Sequence, residues 1–538
     1  MSGVTTMPRT THPQARIGLV ATIALLLALL ATLPSLVAGE RVRAATVGTN
    51  RVGVVCTTDA GGGANPSFTL TTRTGYILLP DGSNAYMWGY SEGTRPFQHP
   101  GPVLCVNEGD TVTIILKNTL KVPVSIVFPG QDGVLANGVA AQPQFDGGGV
   151  MTSLTNVAAP TNGTMTYRFT ATHPGTFLYE SGTDQKIQVR MGLFGALIVR
   201  PAAHTQPAGA ATGGSTTTMI DTASVDFTQH PDLLGGTLAR TLGGSCTIQA
   251  VATHTLTCAA AMTAGATWAS GDAYTMDANP NAVYENGRAD SAFDGRTEYL
   301  ALLSEIDPYL NAAVYKQRTK SSITYNMNNY HPRYWLINGR GFPDSIADNF
   351  ASWLPAQPYG SLALIHPHDE RVLVNATPNP AYNPLPSIDR YLSVGTEDYP
   401  FHPHGNNGIV IARDGYPLEG PTGQDQSFDK FAVNVGPGQT WDVLFSWKDN
   451  EGYDPVTNPV PVTNPDIAGL EIGMFYSGSP YLGETQPMPP GIQTLNECGE
   501  FYIISHNHAL YQITSWGVNM TGPITYSRID PPLPNTCP

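Results

Sequence analysis

Charge is scarce in this chain. Only 13% of its 538 residues are charged, and the 27 Lys and Arg, set against 42 Asp and Glu, form no basic block. That argues against a nucleic-acid partner, because phosphate recognition needs a basic footprint. Long apolar runs are missing beyond residue 37, so no segment of the body of the chain is apolar enough to span a bilayer. Helical periodicity is weak outside the N-terminal leader, and the 13 Met are scattered.

Cysteine is also sparse. The six are Cys56, Cys105, Cys246, Cys258, Cys498 and Cys537. An even count in an exported chain suggests disulfides, with fifteen pairings open. Cys246 and Cys258 flank a short β-branched run, which suits a local hairpin staple. Cys105 with Cys537 would tie the first domain to the C-terminus. None belongs to a metal-thiolate cluster, and His254, between Cys246 and Cys258, reads as a surface loop residue.

What is abundant is turn chemistry: 56 Gly, 45 Pro and 24 Tyr. With short alternating apolar runs, this composition favours β structure over long helices. Residues 1–39 pair basic, polar positions with the apolar stretch Leu19 to Val37, the pattern of a signal peptide. An uncleaved N-terminal anchor is the alternative, with no other bulk membrane insertion. Either places the rest outside the cytosol: secreted, periplasmic or at the cell surface.

The expected division is a flexible lead-in over 40–62 and a first β domain over 63–202. A linker and loop-rich insertion over 203–290 then leads to a second β domain over 291–538. Runs such as Thr111-Val112-Thr113-Ile114-Ile115-Leu116 and Arg371-Val372-Leu373-Val374-Asn375 read as strands. Many short strands at regular turn spacing argue for β-sandwiches.

The chemistry-bearing motif is Tyr399-Pro400-Phe401-His402-Pro403-His404-Gly405-Asn406, followed about a hundred residues later by Ser505-His506-Asn507-His508. Around these, the chain resembles the multicopper oxidase family, whose domains are cupredoxin-like. Pro100-Gly101-Pro102-Val103-Leu104, Glu108-Gly109-Asp110, and Pro174-Gly175-Thr176-Phe177-Leu178-Tyr179 match the family's frames. So do Arg413-Asp414-Gly415 and Gly499-Glu500-Phe501-Tyr502. The resemblance implies an all-β fold of tandem cupredoxin-like Greek-key sandwiches.

It also implies copper ligands, most of which are replaced. Val127, Pro129, Glu180 and Gly182 stand at the first domain's copper positions. Tyr399, Ser505 (or Asn507, if the register slips by two) and Leu510 stand at the blue-copper positions. A blue-copper centre needs a thiolate with two imidazoles, so it cannot form here, and a complete trinuclear cluster cannot either.

Three or four imidazoles remain. On a strand, residues i and i+2 share a face, so His402 with His404, and His506 with His508, could converge on one copper ion, or one zinc. Such a chain is an exported copper-binding protein with a mononuclear site suited to redox chemistry. The alternative is a non-catalytic structural or binding protein of the cell surface, with no metal. A small-molecule or surface partner and a homo-oligomer are both compatible with the sequence. Three further features carry less. His366-Pro367-His368-Asp369 has ligand-like spacing in a turn, Glu180 could face the same pocket as His402, and His173 precedes a Pro-Gly turn.

Overall fold

The computed structural model describes residues 45–538, except 60–62, 203–207, parts of 224–235 and of 278–296, 367–384, 422–423, parts of 448–475, 480, 484–496, parts of 516–519, 532–534 and 538. The leader and the run Arg371-Val372-Leu373-Val374-Asn375 lie outside the described residues. Among the described residues, no helix is long and apolar enough to cross a membrane.

The first domain is a sandwich. One sheet runs, in spatial order, Ala45–Val47, Cys56–Asp59, Val103–Asn107, Phe194–Arg200 and Gly175–Glu180. The other is built on Asn84–Glu92, Ser67–Leu78, Thr111–Asn118 and Gly163–Thr170. Strand Thr111–Asn118 alternates in burial along its length, as a strand with one covered face must. Its inward residues Val112, Ile114 and Leu116 meet Leu104, Phe177 and Leu197 from the opposite sheet in one core.

The second domain repeats the plan. Its inner sheet is ordered Tyr334–Ile337, Glu298–Ile306, Ser387–Ser393, Thr440–Phe445 and Gly408–Arg413. Strands Glu298–Ile306 and Ser387–Ser393 are buried at every position. One face packs on the outer sheet through Tyr299, Tyr391, Tyr399 and Phe401. The other packs on the first domain, where Leu300, Leu302 and Leu392 meet Val103, Leu178 and Ile198. Four sheets therefore stack in layers, with two all-β sandwiches sharing an apolar seam.

Charged groups cross the same seam. Arg390, 1% exposed, donates to Glu298 Oε1 at 2.7 Å and to Thr176 Oγ1 at 2.8 Å, and lies 3.3 Å from Asp442 Oδ1. Arg200 of the first domain meets Glu298 Oε2 at 2.6 Å. Burial alone would raise the Glu298 pKa, but the two guanidinium groups override it and hold it at about 2.

Four expectations need correction. The lead-in is ordered where described: Ala45–Val47 pairs with Cys56–Asp59, which pairs with Val103–Asn107. That register sets Cys56 opposite Val103, two residues before Cys105, and Cys56 and Cys105, with Cα atoms 5.5 Å apart, form a disulfide. Cys537 pairs instead with Cys498, so no bridge ties the first domain to the C-terminus, while Cys246–Cys258 is the local staple expected. The insertion is not mainly loop. Between Gly209 and Asp277 it forms a seven-stranded sheet with its own core, including Met219, Phe227, Leu238 and Trp268. A ten-residue helix, Pro308–Gln317, is also present, capped by Asp307, whose carboxylate accepts from the Tyr309 amide at 2.9 Å.

Candidate metal centre

Strand Tyr399–Pro403 alternates strictly. Tyr399, Phe401 and Pro403 are buried, whereas Pro400 and His402 are only partly so. Its neighbour Phe501–Asn507 runs antiparallel, with Phe401 opposite Asn507, His402 opposite His506 and Pro403 opposite Ser505. His402 and His506 thus leave the ladder on the same face. Residues two further along, His404 and His508, extend that face from both strands. Backbone bonds fix these ends: the His404 amide donates to Ile504 and the His508 amide to Pro400. Gly405 then turns the chain at φ 88°, where a Cβ would lie 2.4 Å from Ile503 Cδ1.

Four imidazoles gather here. The ring centroids lie 4.6 Å apart for His402–His404, 5.1 Å for His404–His506, 5.5 Å for His506–His508 and for His402–His508, and 5.7 Å for His402–His506. His506 is buried, His402 and His404 are half-buried and His508 is exposed, so the group opens to solvent on one side.

The protein assigns the ring nitrogens. His402 Nδ1 lies 2.5 Å from the Phe431 carbonyl, and His506 Nδ1 lies 2.8 Å from the Asn507 carbonyl. A carbonyl can only accept, so each Nδ1 carries the hydrogen and each Nε2 keeps its lone pair. His404 Nε2 sits 3.1 Å from His506 Nε2. Two imidazole nitrogens about 2.0–2.1 Å from one ion stand about 2.8–3.4 Å apart for angles between 90° and tetrahedral. The spacing fits a shared ion. Burial, and then repulsion from the other imidazoles, pushes His404 down to about 4. Burial lowers His506 as well, with His402 and His508 adding to it against the Asn507 carbonyl. Both stay neutral at pH 7, the form that ligates.

The blue-copper positions do not fit copper. Every cysteine is in a disulfide. Ser505 is buried and 3.1 Å from Ser527 Oγ. Tyr399 donates to Glu305 Oε2, which holds it in the core. Glu305 also accepts from Thr396 N at 2.7 Å. Leu510 is 69% exposed, and the Asn507 amide bonds to Gln512.

The first-domain positions are closed too. A Cβ on Gly182 would meet Val127 Cγ1 at 2.8 Å and Ser125 Oγ at 3.0 Å, so no imidazole fits there. Glu180 does not join the histidines. It pairs through its backbone with Val127, and its carboxylate accepts from Gln185 at 3.0 Å.

His366 Nδ1 is 2.7 Å from Asp294, while His368 and Asp369 lie outside the described residues. His173 stacks with Phe177 and Tyr416. His254 is exposed, in the turn between two strands. Sequence reasoning did not single out Cys498, Asp530 and Cys537, whose donor atoms lie within 4.8 Å of one another. The two sulfurs are joined as a disulfide, and Asp530 Oδ1 accepts from Arg528 at 2.7 Å. Neither sulfur is a thiolate, so this group offers no metal site as it stands.

Residues 72–204 match the family model described as multicopper oxidase. A segment of 104 residues is 36% identical to L-ascorbate oxidase of Cucurbita maxima, covering 19% of this chain and 16% of that one. Another of 123 residues is 35% identical to a probable nitrite reductase–hydroxylamine oxidoreductase fusion protein of Kuenenia stuttgartiensis, covering 21% and 13%. The chain thus spans less than a fifth of the length of these curated relatives. Among solved structures, the multicopper oxidase mgLAC aligns over 86% of each chain at 16% identity, with a TM-score of 0.43.

Proposed function

We propose that this chain, which belongs to the multicopper oxidase and cupredoxin superfamily through its residues 72–204, holds one copper ion on His402, His404 and His506, with His508 as a fourth ligand. The observation that carries this is the His404–His506 Nε2 spacing of 3.1 Å within a four-imidazole group. Bound copper would supply one-electron redox chemistry. The chain's own residues do the rest. The Phe431 and Asn507 carbonyls orient two rings, the His402–His506 strand pair sets their separation, and the open side at His508 admits small molecules from solvent. Imidazole also suits zinc, but copper leads the affinity order for nitrogen ligands.

With no thiolate, the site has no intense blue colour, and with this ligand set it cannot assemble a trinuclear cluster. Three disulfides suit an oxidising, extracytoplasmic compartment.

Elemental analysis after copper loading and desalting tests the reading. One copper per chain is expected in the wild type, and essentially none in the His402→Ala/His404→Ala double variant. Metal near zero in both would sink the copper reading and favour a metal-free scaffold at the cell surface.

A further inference from the structure

We infer that the first domain carries a second, metal-independent site, which takes a neutral amphipathic small molecule. The site is a cavity of about 580 Å³, within the range that drug-sized ligands occupy. It lies beside Gly182, where the copper-ligand position has been closed.

One wall is apolar and buried, formed by Trp88 and Ile187 at 3% and 1% exposure. Facing it is a two-stranded hairpin, Gln144–Phe145 with Met151–Ser153. This hairpin and the turn after it place Met151 and Leu154, 51% and 40% exposed, on the rim. Ser321, Ser322 and Ile323, from the segment after the Pro308–Gln317 helix, complete the mouth. Large apolar side chains left this exposed around a concavity mark a surface that gains by being covered. Methionine adapts to irregular shapes.

The floor gives the ligand its polar end. Ser153 and Thr183 are 2% and 5% exposed and line the cavity. With Ser125 they close a ring of three hydroxyls at 2.8–3.0 Å. Three hydroxyls bring three hydrogens and six lone pairs, so the ring retains acceptor capacity for an incoming O–H or N–H. The rim does not select charge. Asp184 and Lys186 stand 3.9 Å apart and offset each other. An apolar body, a hydrogen-bond donor and no net charge describe the ligand class.

The neutral dye N-phenyl-1-naphthylamine, an apolar body with one N–H donor, serves as reporter, with 1-adamantanol and adamantane-1-carboxylate as competitors. Leu154→Lys and Ser322→Trp alter two separate segments of the rim at exposed positions, and an unchanged thermal midpoint verifies that each folds. Each should weaken dye binding about tenfold or more, a shift of at least about 1.4 kcal/mol. The alcohol should displace the dye at a lower concentration than the carboxylate, and His402→Ala/His404→Ala should bind as the wild type does. Equal dye affinity in the wild type and both rim variants overturns the site. Equal displacement by the two competitors overturns the ligand class. Loss of binding in the histidine double variant would show that the dye reports on the metal centre instead.

Discussion

His402 and His506 are direct partners across an antiparallel ladder, each on the strand face that points away from the sandwich core. This one pairing accounts for the whole histidine group, because the period of two brings His404 and His508 to the same face. A slip of one residue in strand Tyr399–Pro403 would send His402 and His404 into the core, bring Tyr399 and Phe401 out of it, and leave His506 and His508 without them. The apolar burial that fixes the register therefore also fixes the candidate metal centre.

The four histidines should not contribute equally. His506 is buried and has its Nδ1 held by a carbonyl, and His404 is its 3.1 Å neighbour. His508 is exposed. His506→Ala and His404→Ala should each lower copper affinity by about 100-fold or more, and His508→Ala by about tenfold, bracketing the scale known for weaker outer contacts. Competition against a chelator of known affinity measures the order. An equal loss at all four positions would contradict the asymmetry.

Arg390 is the second place where a single side chain matters. It is fully buried and neutralises Glu298 and Asp442 where the two domains meet. Arg390→Leu leaves both carboxylates buried with too little positive charge and should cost about 3–5 kcal/mol. Arg200→Ala, at a side chain 24% exposed, should cost less. Urea unfolding of both variants gives the comparison. A smaller loss at Arg390 than at Arg200 would show that water reaches the seam.

Much of this architecture was legible from residue patterns. The alternation in Thr111–Asn118 and the His-x-His-Gly frame locate strands and the face that carries the histidines without coordinates. In the C-terminal motif the pairing puts His506 opposite His402 and Asn507 opposite the buried Phe401. The Arg390 cluster was not legible, because its partners Glu298 and Thr176 lie 92 and 214 residues away in sequence. Cysteine pairing failed for a similar reason: it depends on which strands become neighbours. The Pro308–Gln317 helix was missed, although Asp307 before Pro308 is a start signal for one. The short amphipathic pattern behind that cap was too weak to extend the signal.

Acid should weaken the fold partly through His99. It is fully buried against Phe194, neither ring nitrogen has a hydrogen-bond partner among the described residues, and burial lowers it to about 3. Between about 6.5 and 3 the unfolded chain binds a proton that the folded chain refuses. Stability from this group is complete above about 6.5 and falls with pH by up to about 1.4 kcal/mol per unit. His99→Leu should remove that part of the slope in urea titrations across the window, whatever its effect on absolute stability. An unchanged slope would mean that the ring reaches water.

Asp389 should act in the opposite sense. Burial raises its carboxyl to about 7, against the opposing hydrogen bond from Tyr391 at 3.0 Å. From about 3.9 to 7 the folded state holds a proton that the unfolded state has released, so stability falls as pH rises through that window. Asp389→Asn should be more stable than the wild type at pH 8 relative to pH 4, when each is referred to its own value at pH 4. Over pH 4–6.5 the His99 and Asp389 contributions partly cancel, so the wild type shows a shallower slope than either single variant.

The Cys498–Cys537 bridge provides the last separation, between structure and metal. Its sulfurs lie beside Asp530, so a reduced chain would present three potential donors in one place. In the oxidised protein the bridge instead ties the end of the chain to the turn before strand Phe501–Asn507, which carries His506. Closing a loop of about forty residues is worth about 4 kcal/mol on the chain-entropy estimate. Cys498→Ser/Cys537→Ser should therefore lose stability of that order yet retain one copper per chain under conditions where it stays folded. If copper content fell while His402→Ala/His404→Ala kept its own, the ion would belong to the sulfur cluster, and the histidine assignment would fail.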